Sequence, residues 1–120
     1  MPDNDLTYQV IGAAMHVHNE LGPGLREKPY ENALRIALKK LNMHVDQQRA
    51  YPISYEGHIV GDCLTDLVVN NELIIETKSI DSIGDNEIAQ LLNYLRVSGL
   101  KLGLLLNFKP SKLEVKRVIR

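Results

Sequence analysis

The segment that most constrains the fold is the apolar run over residues 100–108, LKLGLLLNF. A strand with one solvated face alternates apolar and polar side chains, whereas a strand covered on both faces reads as a nearly continuous apolar run. Such a central strand needs packed layers on both sides of its sheet. The 120 residues are enough for one domain of this kind. The sequence therefore predicts a single domain over residues 1–120, built around a buried sheet.

Hydrophobic periodicity predicts helices and further strands around this run. Three segments carry apolar residues at helical spacing: residues 6–21, 26–41 and 86–98. The segments with the composition of strands are residues 50–55, 58–69 and 73–79, with one more in the tail over 109–120. Pro52 confines the first of these strands to an edge or a bulge. The predicted fold is α/β (α+β), with the order ααβββαβ(β) and a mixed sheet of four to five strands flanked by helices.

Composition limits the classes of function. The formal net charge of -1 argues against a strongly basic coat protein, but it allows a nucleic-acid enzyme whose acidic groups offset its basic contacts. Cys63 is the only cysteine, which excludes an internal disulfide and a thiolate zinc site. The N-terminus lacks a signal-peptide pattern, and no run approaches the roughly 18 to 20 apolar residues that span a bilayer. We therefore expect a cytoplasmic protein without a membrane partner.

Charged residues gather on two neighbouring predicted strands. Asp66 lies ten residues before Glu76, and the triplet Glu76-Thr77-Lys78 directly follows an apolar segment. Strand side chains alternate between faces, so Glu76 and Lys78 point the same way and Thr77 points the other way. Because burying an unpaired charge is costly, charged side chains in a central strand need partners. Asp66 is the nearest additional acid on the adjoining strand.

The length of the hairpin loop decides whether Asp66 and Glu76 can meet. If Asn70 and Asn71 alone form the loop, Asp66 opposes Ile75 and Glu76 faces away. If the loop comprises residues 70–72, Asp66 opposes Glu76 on the same face. Two carboxylates at a cross-strand spacing of about 5 Å can hold one divalent cation. A shared metal ion therefore requires an odd-length loop or a bulge.

An aspartate followed by Glu-x-Lys across a hairpin resembles the PD-(D/E)XK nuclease superfamily. Residues 24–30, GLREKPY, match the G-x-x-E-x-x-Y signature of a family of small proteins of this type, and residues 90–94, QLLNY, match the Q-x-x-x-Y element of its RecB-type exonuclease branch. The resemblance extends over residues 11–119, although Thr65 replaces the proline that half-names the superfamily. It implies a restriction-endonuclease-like core.

The resemblance also implies a metal-dependent nuclease that hydrolyses phosphodiester bonds of DNA, with RNA as the alternative. Hard oxygen ligands suit Mg²⁺ or Mn²⁺, which activate water and screen phosphate charge. The implied metal ligands are Asp66 and Glu76, with the Thr77 carbonyl and Glu27 as further ligands. Lys78 would orient or deprotonate the attacking water, or stabilise the charged transition state.

The predicted third helix would add Gln90 to the catalytic residues Glu27, Asp66, Glu76 and Lys78. Gln90 and Tyr94 lie on one helical face, with Gln90 nearer the reaction. Tyr94 and Tyr30 are expected to support the site by packing and hydrogen bonding.

A structural role for the same residues stays open. The strand charges could form an inert ion-pair network, and Glu27 could merely stabilise a helix N-terminus through the helix dipole. The rival function is a non-catalytic module that binds nucleic acid or protein on the same fold. Because so short a chain leaves little room for a recognition domain, specificity in either case would come from a homodimer or a partner protein.

Overall fold

The computed structural model describes the backbone of residues 2–120 and the side chains of residues 5–120. This part of the chain forms three helices, α1 (Pro2–Leu21), α2 (Glu27–Lys40) and α3 (Asp85–Ser98). It also forms five strands, β1 (Val45–Tyr55), β2 (His58–Val69), β3 (Leu73–Lys78), β4 (Leu102–Asn107) and β5 (Glu114–Ile119). The order ααβββαββ confirms the predicted fold class.

The five strands form one mixed sheet in the order β1-β2-β3-β4-β5. β1, β2 and β3 are antiparallel neighbours, β3 and β4 run parallel, and β5 returns antiparallel to β4. The parallel pair needs a crossover connection, which α3 provides. β1 lies at one edge, as the proline within it predicts, and β5 lies at the other.

All six residues of β4 are buried, which confirms the prediction of a strand covered on both faces. Leu104 and Leu106 pack in one buried cluster with residues of α1 and α2. Leu105 packs in a second cluster with Leu91 and Leu95 of α3. The sheet therefore separates two hydrophobic layers, which hold α1 and α2 on one face and α3 on the other.

Helical apolar spacing would turn Leu21, Leu41 and Leu92 toward the core, but all three are exposed in the structure. Leu92 is 37% exposed because α3 already turns Leu91 and Leu95 toward the sheet, and the next residue in a helix points about 100° away. Leu21 is 42% exposed and lines a surface groove between α1 and α2. No helix in the described part of the chain is long and apolar enough to cross a membrane.

β1 is longer than the sequence indicates, because it begins at Val45 rather than at residue 50. Gln48 lies within this added stretch and has a left-handed backbone with φ of 55°. Farther along, the β1–β2 register shifts between Ile53 and Ser54. The shift lies opposite Gly61, and a glycine inside a strand often marks a bulge or kink.

The contact between Gly103 and Leu91 generates a stability prediction. A Cβ at Gly103 would lie 2.8 Å from Leu91 Cδ2 and 3.0 Å from Leu91 Cγ, inside the packed layer between α3 and β4. We expect Gly103→Ala to lower the free energy of unfolding by about 1–3 kcal/mol, the usual cost of overpacking.

Urea denaturation measures this effect, with Gly12→Ala as the matched control. A Cβ at Gly12 of α1 would meet no atom within 4 Å. Gly12→Ala should therefore stabilise the protein by about 0.5–1 kcal/mol, since alanine favours helix. Equal effects of the two substitutions would contradict the tight packing of α3 on β4.

Candidate active site

The loop between β2 and β3 comprises residues 70–72, because Val69 pairs with Leu73 across the hairpin. Asn70 and Asn71 have left-handed backbones, with φ of 53° and 54°. Asparagine tolerates this conformation better than most residues, which explains its use at both positions. The loop has the odd length that the shared-metal hypothesis requires.

Asp66 and Glu76 lie opposite each other, one position beyond the last pair of the β2–β3 hydrogen-bond ladder. Leu67 and Ile75 are the last paired residues, and beyond them side chains bridge the two strands. The backbone N–H of Asp66 donates to Glu76 Oε2 at 2.9 Å. The N–H and hydroxyl of Thr77 donate to Asp66 Oδ2 at 2.9 and 3.0 Å. The carboxylates thus stand where ladder hydrogen bonds would otherwise form, and they are fixed between the strands.

Burial makes the charged forms of these two carboxylates less favourable. Burial, followed by the charge of Asp66, raises the pKa of Glu76 from 4.5 to about 8, while the nearby Lys78 opposes the shift. Burial also raises the pKa of Asp66, and the charges of Glu31 and Glu27 add to this effect. Hydrogen bonds from Thr77 act in the opposite direction. Poorly hydrated carboxylates close to each other make a local environment that favours a bound cation.

Lys78 lies half-buried at the end of β3, and α3 fixes its amine. Lys78 Nζ donates to Gln90 Oε1 at 2.9 Å. Tyr94 lies one turn farther along the helix, where burial raises its pKa and the nearby Gln90 side chain opposes the rise. The structure therefore brings Lys78, Gln90 and Tyr94 together on the α3 side of the sheet.

Two polar residues hold the loop that leads from β3 to α3. Asn107, fully buried at the end of β4, accepts a hydrogen bond from Ile80 N at 3.0 Å. Glu114 accepts from Ile83 N at 3.0 Å and from Asn107 Nδ2 at 2.9 Å. These contacts fix where α3 begins, and hence where Gln90 lies. The sequence pattern placed Asn107 only within an apolar run, so this role was missed.

Tyr30 supports the segment that precedes α2. It is fully buried and stacks on Phe108, with ring centroids 4.4 Å apart and an interplanar angle of 11°. Its hydroxyl donates to Gly22 O at 2.5 Å and accepts from Leu25 N at 3.0 Å. Tyr30 thus ties the turn before α2 to the segment after β4, which places Glu27 in the first, exposed turn of α2.

The structure adds a carboxylate that sequence reasoning missed. Glu31 is only 2% exposed and accepts hydrogen bonds from Gln47 Nε2 at 2.7 Å and Gln48 Nε2 at 2.9 Å. Lys28 Nζ contacts the same side chain at 3.2 Å. The sequence signal that could have revealed Glu31 is its position three residues before Leu34, which places an acidic side chain on the apolar stripe of α2.

The carboxylates of Asp66 and Glu76 suit a hard divalent cation that takes few ligands from the protein. No three His, Cys, Asp or Glu side chains among residues 5–120 lie close enough together to hold one metal ion. Glu27 therefore does not join Asp66 and Glu76 in a three-carboxylate group, unlike the expected ligand set. Mg²⁺ commonly keeps several waters and binds one or two carboxylates together with substrate phosphates. Asp66 and Glu76 match that pattern.

Two solved structures are similar to this chain. "Crystal structure of SSO0001" aligns with a TM-score of 0.60 at 18% identity, covering 75% of this chain and 48% of that one. An alkaline exonuclease (LHK-Exo) from Laribacter hongkongensis aligns with a TM-score of 0.58 at 14% identity, covering 78% and 54%. The chain thus matches about half the length of each structure, and the likeness shows a shared fold.

A comparison with curated protein sequences found no match. The sequence model of the PD-(D/E)XK nuclease superfamily matches residues 4–118, nearly the whole chain. The α+β architecture and mixed sheet agree with the restriction-endonuclease-like core that this superfamily implies. The chain belongs to the PD-(D/E)XK nuclease superfamily.

Proposed function

We propose that this chain is a metal-dependent nuclease that cleaves phosphodiester bonds of DNA, with RNA as the alternative substrate. The observation that carries the proposal is the residue 70–72 loop, which places Asp66 opposite Glu76 where the ladder ends. Lys78 follows on the same face, as alternation along β3 requires. Superfamily membership supports the reaction class, and the local geometry supports these residues as its site.

Asp66 and Glu76 are the proposed metal-holding pair. A bound Mg²⁺ or Mn²⁺ would lower the pKa of a coordinated water and offset phosphate charge. The protein fixes both carboxylates beforehand with donors from Asp66 N and Thr77, so they need little reorganisation when a cation binds. The Thr77 carbonyl stays a proposed additional ligand. Glu27 acts in this proposal through its charge, since it raises the pKa of Asp66 from the exposed first turn of α2.

Lys78 is the proposed electrostatic group for the reaction. Its contact with Gln90 Oε1 holds the ammonium near Glu76, beside the proposed cation site. A fixed positive charge in a partly desolvated site stabilises the negative charge that develops on the phosphorus oxygens. Gln90 orients this amine through its carbonyl oxygen, and Tyr94 lies beside Gln90 on the same helical face.

A basic surface depression beside the site supports a polyanionic substrate. Arg26, Glu27, Ser79 and Lys109 line this depression, whose volume is about 420 Å³. Ser79 directly follows Lys78 in the chain, so the depression adjoins the end of β3. We propose that Arg26 contacts phosphates of the substrate backbone, and that Lys109 does so by exchanging its 2.6 Å ion pair with Asp81 for a phosphate. Such contacts supply most of the sequence-independent affinity.

A cleavage assay with Mg²⁺ or Mn²⁺ tests this function on single-stranded, duplex and branched DNA and on RNA. Glu76→Gln and Lys78→Ala should each lower the cleavage rate by at least about 100-fold, because each removes a charge that acts on the transition state. The matched controls Glu72→Gln and Lys101→Ala alter exposed residues outside the site and should cleave like wild type. Activity that survives both site substitutions, or that never appears in wild type, would favour a binding module on the same fold.

Metal removal gives a separate prediction about stability. In EDTA, folded Glu76 keeps its proton up to about pH 8, whereas in the unfolded chain it titrates near 4.5. Between these values the folded state binds more protons, so the free energy of unfolding falls as pH rises. The slope approaches ~1.4 kcal/mol per pH unit for one proton. Glu76→Gln removes this group and should flatten the decline.

Chemical denaturation from pH 5 to 8 measures this slope for wild type and Glu76→Gln in EDTA. At pH 8, adding Mg²⁺ should raise the melting temperature of wild type more than that of the variant, since ligand binding stabilises the folded state. Identical pH slopes in the two proteins would contradict the buried, proton-retaining state of Glu76. An equal response to Mg²⁺ would contradict its role as a metal ligand.

A further inference from the structure

Gln48 has a backbone conformation that its place in the fold does not explain. Five non-glycine residues in the described part of the chain have positive φ, and four of them lie in turns or loops: Asn42, Glu56, Asn70 and Asn71. Gln48, with φ of 55°, instead lies inside the 11-residue strand β1. A left-handed L-residue costs roughly 1–2 kcal/mol, and such strain persists only where the surroundings impose it.

The strained residue lies across from Asp66. β1 and β2 pair regularly on both sides of this position, but Gln48 and Asp66 do not form a ladder pair. On the other side of Asp66, the β2–β3 ladder ends before Glu76. The sheet is therefore interrupted on both sides of Asp66, along one row of three polar residues.

The left-handed backbone of Gln48 directs its side-chain amide between the carboxylates of Glu31 and Asp66. Gln48 Nε2 lies 2.9 Å from Glu31 Oε2 and 3.5 Å from Asp66 Oδ1. Asp66 Oδ2 is held from the opposite side by Thr77. Both oxygens of the Asp66 carboxylate thus have a fixed neighbour.

Satisfying Glu31 does not by itself require this arrangement. Gln47 Nε2 already donates to Glu31 at 2.7 Å, and Lys28 forms an ion pair with it. Gln47 does so without a positive φ, and its other side-chain contact is with Asn32. The contact that distinguishes Gln48 from its neighbour is the one with Asp66.

We propose that Gln48 is a positioning residue for Asp66, an inference that rests on the proposed nuclease function. Its amide orients the carboxylate and lies between it and the carboxylate of Glu31. A lysine or arginine at this position would also pair with Asp66, but its charge would compete with a metal cation. A neutral donor orients the ligand and leaves its negative charge available.

The test compares Gln48→Gly with Gln47→Ala. Glycine accepts the left-handed backbone and removes the Gln48 side chain with its contacts to both Asp66 and Glu31, whereas Gln47→Ala removes a partner of Glu31 and leaves the Gln48–Asp66 contact intact. Titration calorimetry with Mn²⁺ and the Mn²⁺ dependence of cleavage provide the readouts, together with thermal unfolding in EDTA.

We expect Gln48→Gly to weaken Mn²⁺ binding by about 10- to 100-fold, the usual effect of removing a group that orients a metal ligand. Its melting temperature in EDTA should stay close to that of wild type, because relief of the backbone strain offsets the lost hydrogen bond to Glu31. Gln47→Ala should bind Mn²⁺ like wild type, because the side-chain contacts of Gln47 are with Glu31 and Asn32 and not with Asp66, and its melting temperature should be lower. If Gln48 had a purely structural role, the less stable variant, Gln47→Ala, would not keep wild-type Mn²⁺ affinity while the more stable variant, Gln48→Gly, loses it.

Gln48→Asn provides a second variant, since asparagine tolerates positive φ but its amide is one methylene shorter. It should also bind Mn²⁺ more weakly than wild type, even if the glycine variant does not fold. Wild-type Mn²⁺ affinity in the folded position-48 variants would overturn the inference and leave the nuclease proposal standing. A wild-type protein that neither binds Mn²⁺ nor cleaves any substrate would overturn both.

Discussion

Where β2 and β3 part, the carboxylates of Asp66 and Glu76 make the cross-strand contacts that the backbone ladder no longer makes. Burying two like charges is unfavourable, and the raised pKa values of both groups report that cost. Tertiary structure must hold them there. The two hydrophobic layers that enclose β4 stabilise the sheet well enough to carry this destabilised region. A proton can relieve part of the electrostatic cost in the free protein, and a bound cation would do so in the proposed enzyme.

The interruption of the strand ladders beside Asp66 also explains how helices on opposite faces of the sheet can contribute side chains to one site. Gln90 of α3 reaches Lys78 from one face. Glu31 of α2 reaches the neighbourhood of Asp66 from the other face, through the amide of Gln48. In a continuous sheet the strands would separate these two layers. Interrupting the ladder at Asp66 brings their polar groups to the same carboxylate pair.

The sequence predicted the fold well because its strongest signals are local. The apolar run over residues 100–108 indicated a strand covered on both faces of the sheet, and Pro52 indicated an edge strand. The loop at residues 70–72 could not be decided, because a two-residue turn also suits a pair of asparagines. Gln48 could not be found at all. Its left-handed backbone accompanies tertiary contacts with Asp66 and Glu31, which propensity does not record.

The net charge of -1 has a different meaning once the acidic residues are located. Four of the 15 acids, Glu27, Glu31, Asp66 and Glu76, lie around one end of the sheet, where the charges of the first two raise the pKa of Asp66. The charges of Asp66 and Glu31 also raise the pKa of Glu76. The remaining eleven are outnumbered by 14 lysines and arginines. A divalent cation at Asp66 and Glu76 would offset much of the local negative charge, and the rest of the molecule carries a slight excess of positive charge. The low net charge therefore reflects a concentrated acidic centre, and it limits non-specific affinity for a polyanion more than it limits the proposed reaction.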